Sequence, residues 1–255
     1  MLKHLKPHLK NRKTLRLVEP FLGSASVFLN TPARDYFLSD INSDLINFYH
    51  QLRRNSLQFI DDAYGMFTLN NVGDYYSLRY EFNHSHDDYR RALLFLYLNR
   101  HGYKGLWRVN SDGYCNVPFG HYKAPFFPRQ ELSYMAFRLC TTELKCCHFE
   151  ETINSAGHGD LVYADPPYVP ASKTANFTGY HHTGFSWDDQ VNLAECLLQA
   201  NRRGAQVVVS NSATTLTLQL YREMGFKLKK FTVLRSINSL TSGRKEADEL
   251  IAWIK

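Results

Sequence analysis

The chain has 255 residues, 44% hydrophobic and 14% aromatic, enough apolar material for one large core or a core with an insertion, and no run nears the roughly 18 apolar residues of a membrane span. Its five cysteines (Cys115, Cys140, Cys146, Cys147, Cys196) form no Cys-x-x-Cys pair or metal-ligand spacing, which excludes a disulfide or zinc scaffold and points to a reducing, intracellular compartment. The net charge of +6 is a weak pointer to polyanions, but its placement is uneven: six basic residues from Lys3 to Arg16 face no acid, and Arg100, Lys104, Arg108, Lys123 and Arg129 face only Asp112.

The basic N-terminus lacks the apolar centre and small-residue cleavage site of a targeting peptide. From there on, apolar runs bounded by turn residues predict strands over 15–19, 36–40, 144–149, 160–164, 206–210, 226–234 and 249–254. Helical periodicity falls between most of them, over 24–30, 43–53, 187–203 and 214–224. Strands alternating with helices imply an α/β fold on a parallel sheet, and the last two strands, joined by a short loop, imply an antiparallel pair at one edge. The alternation fails between about 52 and 139. That stretch reads as several helices, the clearest over 87–100, followed by a Gly-, Asn- and aromatic-rich segment. Within it, Ser111-Asp112-Gly113 makes a turn between two short extended runs and predicts a β-hairpin. The expected organisation is therefore a core in two parts, 1–51 and 140–255, interrupted by a mostly helical module over 52–139.

The first strand ends in a turn at Gly23 and enters a helix, and Asp40 closes the second strand. In open parallel sheets the crevice at the carboxyl ends of the strands binds ligands, and a carboxylate at Asp40 is placed to accept ribose hydroxyls. The same two residues also read as an ordinary turn and as a cap for the next helix, from Ile41 onward.

The sharper feature is Asp165-Pro166-Pro167-Tyr168, directly after Leu161-Val162-Tyr163-Ala164. It reads either as a rigid end to a strand or as a site for an exocyclic amine. Such an amine is a poor nucleophile because its lone pair is delocalised into the base. Two acceptors aimed at its N–H bonds, the Asp165 carboxylate and the Pro166 carbonyl, favour the pyramidal nitrogen and the positive charge that develops on attack at a sulfonium methyl. Tyr168 offers an aromatic face for an extruded base. This chemistry needs alignment and electrostatics, with no metal and no covalent enzyme intermediate. The pair His181-His182 lacks a third ligand at suitable spacing, so no metal site is expected.

Val-Glu-Pro-Phe-x-Gly-Ser, then Asn-Arg-x-Gly-Tyr-x-Gly-Leu-x-Arg-x-Asn, then Asp-Pro-Pro-Tyr, in that order, resemble the Dam-type DNA adenine methyltransferases. The likeness continues through Asn116-Val117-Pro118-Phe119-Gly120, 174–178, Ser210-Asn211, Arg235-Ser236-Ile237 and Asp248-Glu249-Leu250, so it spans about 17–255. It implies a Rossmann-like S-adenosylmethionine-dependent sheet with an inserted target-recognition domain. It also implies methyl transfer to adenine N6 in double-stranded DNA, by base flipping, with GATC as the usual target. A monomer in the cytoplasm, associated with the nucleoid, is the corresponding expectation.

By resemblance, Phe21, Gly23, Asp40, Phe149 and Asp165 fall where the family holds its cofactor, and Asp165, Pro166 and Tyr168 fall on the target-base site. Tyr103 occupies the place of an aromatic wedge in the base stack. Arg108 matches the base-reading arginine, and Leu106 and Pro118 sit where a thymine methyl is met. Asn116 and Tyr122 fall among phosphate or base contacts, and Lys104, Lys123 and Arg129 read as phosphate partners. The solvated face that lysines ordinarily make, and hairpin packing for Tyr103, Leu106 and Pro118, are the plainer readings.

The sequence also departs from the family. Members usually open with a Trp-Ala-Gly-Gly-Lys segment at the methionine end of the cofactor, whereas this sequence starts Met1-Leu2-Lys3-His4. Ala25 stands where Gly is common, and Trp107, Val109 and His121 also differ. DNA recognition is accordingly expected to survive better than cofactor affinity, and the alternative function is a Dam-like protein that binds DNA without efficient methylation. Asp165, rather than Asn, argues against a protein-amide substrate, and the duplex-reading module argues against RNA.

Overall fold

The computed structural model describes residues 1–9, 15–169, 185–235 and 245–254. The chain forms two compact units, Met1–Ile41 with Thr142–Lys255, and Asn42–Thr141.

The first unit contains α1 (Leu2–Leu9), β1 (Arg16–Glu19), α2 (Ser26–Asn30) and β2 (Asp35–Asp40), then β3 (Thr142–Cys146), α8 (Phe149–Asn154), β4 (Asp160–Ala164), α9 (Trp187–Arg202), β5 (Gln206–Ser212), α10 (Thr215–Glu223), β6 (Lys227–Arg235) and β7 (Lys245–Ile254). Its strands make one seven-stranded sheet in the order β3-β2-β1-β4-β5-β7-β6. The first five are parallel, and β7 runs antiparallel to both β5 and β6, as the alternation and the closing strand pair predict.

Strand alternation divides the side chains between the two faces. Val18, Phe37, Val162, Ala164, Val207 and Val209 point to one face and pack with Ile153 of α8 and Leu193 and Leu197 of α9. Leu17, Glu19, Tyr163, Val208 and Ser210 alternate onto the other, where Phe28 of α2 meets the Tyr36 ring edge-on at 5.0 Å. The sheet carries the acidic and hydroxyl residues of the site on this second face.

Three local differences from the sequence reading have physical causes. Helix α1 was not expected, since Pro7 lies inside it and removes a backbone donor. Tertiary contacts hold it: Leu5 and Leu9 are buried, His4 stacks on Phe231 at 4.3 Å, and Gln206 Nε2 donates to the His8 carbonyl at 2.7 Å. The third strand ends at Cys146 instead of running to 149, and Phe149 opens α8, where Glu150 and Glu151 suit the positive end of a helix. Helix α2 starts at Ser26, because Ala25 before it takes a left-handed conformation, φ 58°.

The second unit holds α3 (Ser43–Arg54), α4 (Ser56–Met66), α5 (Val72–His84), α6 (Asp88–His101) and α7 (Arg129–Leu139). Helix α3, expected with the core, packs within this unit, where Arg91 of α6 donates to Asp44 at 2.6 Å. Asn42, Asn71 and Asp87 cap α3, α5 and α6 by accepting from the first-turn N–H groups. No helix among the described residues is long and apolar enough to cross a membrane.

The expected hairpin is only partly formed. Val109 and Cys115 make an isolated bridge, as do Gly102 and Phe119, with no continuous ladder. The turn exists nonetheless: the Asn110 side chain accepts from the Asp112 and Tyr114 N–H groups, and Gly113 takes φ 81°. The ladder is replaced by clamps from α5. Asn83 donates to the Cys115 carbonyl and accepts from its N–H, and Tyr75 and Arg79 both donate to the Val117 carbonyl at 2.9 Å.

Candidate active site and nucleic-acid interface

From β1 the chain steps to β2 and β3 on one side and later to β4 and β5 on the other, so the switch point lies between β1 and β4. Ligands of open α/β sheets bind outside the carboxyl ends of the strands at such a point. Glu19, Asp40 and Asp165 stand at or just beyond the ends of β1, β2 and β4, on neighbouring strands.

The loop after β1 is tied to the end of β2. Leu22 N–H donates to the Ser39 carbonyl at 2.9 Å, and Gly23 N–H donates to Asp40 Oδ2 at 2.9 Å. Gly23 has φ 46° and nothing within 4 Å of where a Cβ would stand, which leaves the backbone open to a ligand. Phe21 stacks on Phe149 at 5.6 Å, and Phe185 meets Phe21 edge-on. Phe149 lies in the core with only 3% exposure, so the half-buried Phe21 is the more accessible ring of the two. Ile41, directly after Asp40, is 68% exposed, an apolar surface at the crevice that sequence reading missed.

Asp165 is open to solvent, yet the crowd of protein atoms around its carboxyl raises its pKa, against hydrogen bonds from Ser210 and Tyr168 and the nearby Tyr163 hydroxyl, which lower it. Ser210 Oγ donates to Asp165 Oδ1 at 2.5 Å. Burial, and then the Asp165 charge, raise the pKa of Tyr168, so its phenol stays protonated. Pro166 is buried and Pro167 exposed.

The turn is bolted to the neighbouring strand and helix. Gln190 of α9 donates to the Pro167 carbonyl at 2.8 Å, Val169 N–H donates to Asn211 Oδ1, Asn211 donates to Gln190 at 2.9 Å, and Ser212 donates to the Val169 carbonyl. Gln190 and Ser212 were not anticipated. A polar Ser-Asn-Ser closing the apolar strand of Val207 to Val209 is the signal that could have found Ser212.

Glu19, only 2% exposed, is an acid that was not anticipated. Burial and the nearby Asp165 charge push its pKa well above the carboxyl range, against a hydrogen bond from the Phe28 backbone. Its Oε2 has no partner among the described residues.

In the second unit, inward and outward residues alternate along the segment that holds the expected DNA contacts. Cys115, Val117 and Phe119 are buried, while Pro118 is exposed and Asn116 half-buried. On the facing run Trp107 packs against Phe95 at 4.4 Å, leaving Leu106 and Arg108 exposed. Arg108 Nε donates to Asn116 Oδ1 at 2.7 Å, so two expected DNA contacts are already joined. Tyr103 N–H donates to the Pro118 carbonyl, and Lys104, with φ 54°, holds Nζ 5.2 Å from the centre of the Tyr103 ring. Lys104 and Tyr122 line a cavity of about 410 Å³ with Arg100 and Phe126. Lys123 is exposed, whereas Arg129 pairs with Asp61 at 2.8 Å. Residues 174–178, His181, His182, Ser236 and Ile237 lie outside the described residues.

A family model described as D12 class N6 adenine-specific DNA methyltransferase matches residues 1–237. The DNA adenine methylase of Serratia marcescens is 46% identical over 239 residues, 92% of this chain and 88% of that protein. The DNA adenine methylase of Escherichia coli (strain K12) is 43% identical over 257 residues, 100% of this chain and 91% of that protein. Among solved structures, the precorrin-6y C5,15-methyltransferase of Geobacter metallireducens aligns at a TM-score of 0.41 and 12% identity, over 99% of this chain and 87% of that one, a likeness too slight to bear on function. With its Asp-Pro-Pro-Tyr turn at the switch point of a mostly parallel sheet, the chain belongs to the D12 class of N6 adenine-specific DNA methyltransferases.

Proposed function

We propose that this enzyme methylates adenine N6 within GATC sites of duplex DNA, taking the methyl group from S-adenosylmethionine and the adenine in an extruded state. The observation that carries the reading is the Asp165 carboxylate, held at the carboxyl end of β4 by Ser210 and Tyr168, beside the strand whose loop is tied to Asp40.

The residues fit this donor. The open backbone at Gly23, the acid at the end of β2, and the apolar Phe21 and Ile41 suit a nucleoside with a charged tail. When bound, the donor supplies an electrophilic methyl on a sulfonium. Asp165 accepts a hydrogen bond from the target amine, turning the nitrogen lone pair out of the ring, and takes up the proton released as the new N–C bond forms. Tyr168 provides the stacking surface for the base.

In the second unit, Arg108 supports reading of a guanine edge, and the exposed Leu106 and Pro118 support contact with a thymine methyl. Tyr103 fills the gap left by the extruded adenine, while Lys104, Asn116, Tyr122 and Lys123 hold phosphates. The decisive experiment incubates genomic DNA lacking adenine methylation with the enzyme and S-adenosylmethionine and maps the modified bases. N6-methyladenine confined to GATC is the expected result. Modification at other adenines would overturn the GATC reading, and none at all would leave a protein that binds DNA without methylating it.

A further inference from the structure

The carboxylate at Asp165 sits at one end of a chain of hydroxyls. Continuing the register Ala164↔Val209 by one residue brings Ser210 beside Asp165. Ser210 is fully buried, and its Oγ lies 2.5 Å from Asp165 Oδ1 and 2.9 Å from the Tyr163 hydroxyl. A serine has one proton to give and a carboxylate can only accept, so the Ser210 proton goes to Asp165. Tyr163 must then donate to Ser210. The direction is fixed: Tyr163 O–H to Ser210 Oγ, and Ser210 O–H to Asp165 Oδ1. Tyr163 is 1% exposed, and burial, then the Asp165 charge, raise its pKa well above the phenol value, so the far end of the chain never loses its proton at working pH.

We propose that Tyr163 and Ser210 are positioning residues of the methyl transfer, a buried two-hydroxyl relay that sets the rotation of the Asp165 carboxyl and presents it to the target amine as an acceptor. The proposal rests on the reading of Asp165 as that acceptor. Neither hydroxyl touches the substrate. Each acts through Asp165, and a charge-assisted bond of 2.5 Å is among the strongest available to hold it.

The relay also opposes its surroundings. The crowding of the pocket favours a protonated Asp165, and Ser210 and Tyr168 oppose this by donating to it; the buried Glu19 on β1 lies nearby, its own pKa raised by burial and then by the Asp165 charge. On β7, the buried Glu249 faces Tyr168. Asp165 must be ionised to accept from the amine, so the rate falls as pH drops through its pKa. Losing a donor moves that acid limb to higher pH.

The test measures methyl transfer to a duplex from pH 5 to 9 with saturating S-adenosylmethionine, for Ser210→Ala, Ser210→Thr, Tyr163→Phe and Asp165→Ala. Ser210→Ala should lose roughly ten- to a hundredfold in kcat near neutral pH, the effect of one hydrogen bond to a charged group, with KM for DNA and donor unchanged. Its acid limb should move up in pH. Tyr163→Phe keeps the ring that fills the core and should shift the limb in the same direction by less, and Ser210→Thr should return it toward wild type. A wild-type acid limb in both Ser210→Ala and folded Tyr163→Phe, with Asp165→Ala inactive, overturns the relay alone. An active Asp165→Ala overturns the acceptor reading itself.

Discussion

The proposed catalytic residues at the carboxyl ends of the strands and the proposed reading segment of the helical unit are held with different emphasis. At the strand ends, side chains are gripped by other side chains, Asp165 by Ser210 and Tyr168 and Asn211 by Gln190, while Gln190 and Ser212 also hold the backbone of the turn. In the reading segment the grip falls on the backbone, as Asn83, Tyr75 and Arg79 seize the carbonyls of Cys115 and Val117. Leu106, Arg108 and Pro118 are left exposed. The difference follows from the tasks. Methyl transfer rewards acceptors fixed before the substrate arrives. Reading a duplex needs a register fixed by the backbone and side chains exposed to meet base edges.

The largest expected effect breaks the first region. Asp165→Ala should lower kcat by on the order of 10² to 10³-fold or more while leaving duplex affinity near wild type, as measured by single-turnover methylation and by DNA titration. A variant that kept its rate would show that the strand ends do not act through this carboxylate.

Asn83→Ala tests the second region. It leaves the N–H and carbonyl of the buried Cys115 without their side-chain partner, at about 1–3 kcal/mol for each group that stays unpaired. Unfolding by urea should show the loss, and DNA affinity should fall while kcat at saturating DNA stays near wild type. The reverse pattern, slow chemistry with intact binding, would erase the contrast between the two regions.

Arg108→Ala sharpens the contrast from the exposed side. The backbone clamps remain, so discrimination at one base pair should fall by about 1–3 kcal/mol in competition between the target and single-base variants. Equal weakening on every sequence would instead make Arg108 a phosphate contact.

Much of the site at the strand ends was legible in the sequence because a strand declares itself twice, by an apolar run and by the polar residue that ends it. Asp40 and Asp165 were found that way. Ser210 and Asn211 stand out in the sequence as a motif but not as the partners of Asp165 and of the turn after it, because hydrogen bonding between strands depends on register, which no single strand encodes. The reading segment was harder. Its turn was readable at Ser111-Asp112-Gly113, but the missing ladder was not, since the groups that replace it sit on a helix more than thirty residues earlier in the chain. Tyr75, Arg79 and Asn83 do share a four-residue spacing that places them on one helix face, which was the available clue. Helix α1 stayed hidden behind Pro7, since its support comes from Phe231, Trp253 and Gln206 at the other end of the chain.

The smallest expected effect concerns Ala25, which the sequence marks as a departure from Gly and the structure places at φ 58°, directly before α2. A left-handed conformation costs a residue with a Cβ roughly 1–2 kcal/mol, and Gly escapes that cost. Two terms oppose the gain from Ala25→Gly. The Ala25 methyl is fully buried, worth about 0.8 kcal/mol, and a glycine adds freedom to the unfolded chain, worth about 0.4–1 kcal/mol. The terms nearly cancel, so we expect a stability change below about 1 kcal/mol in either direction, a shift in Tm of a few degrees at most for a chain of this size. S-adenosylmethionine should bind somewhat tighter if the methyl crowds the loop that Gly23 and Asp40 tie together. A lower Tm with tighter binding would mean that the methyl supports the fold at the cofactor's expense, whereas a lower Tm with unchanged binding would make Ala25 a packing residue and remove the loop strain from any account of activity.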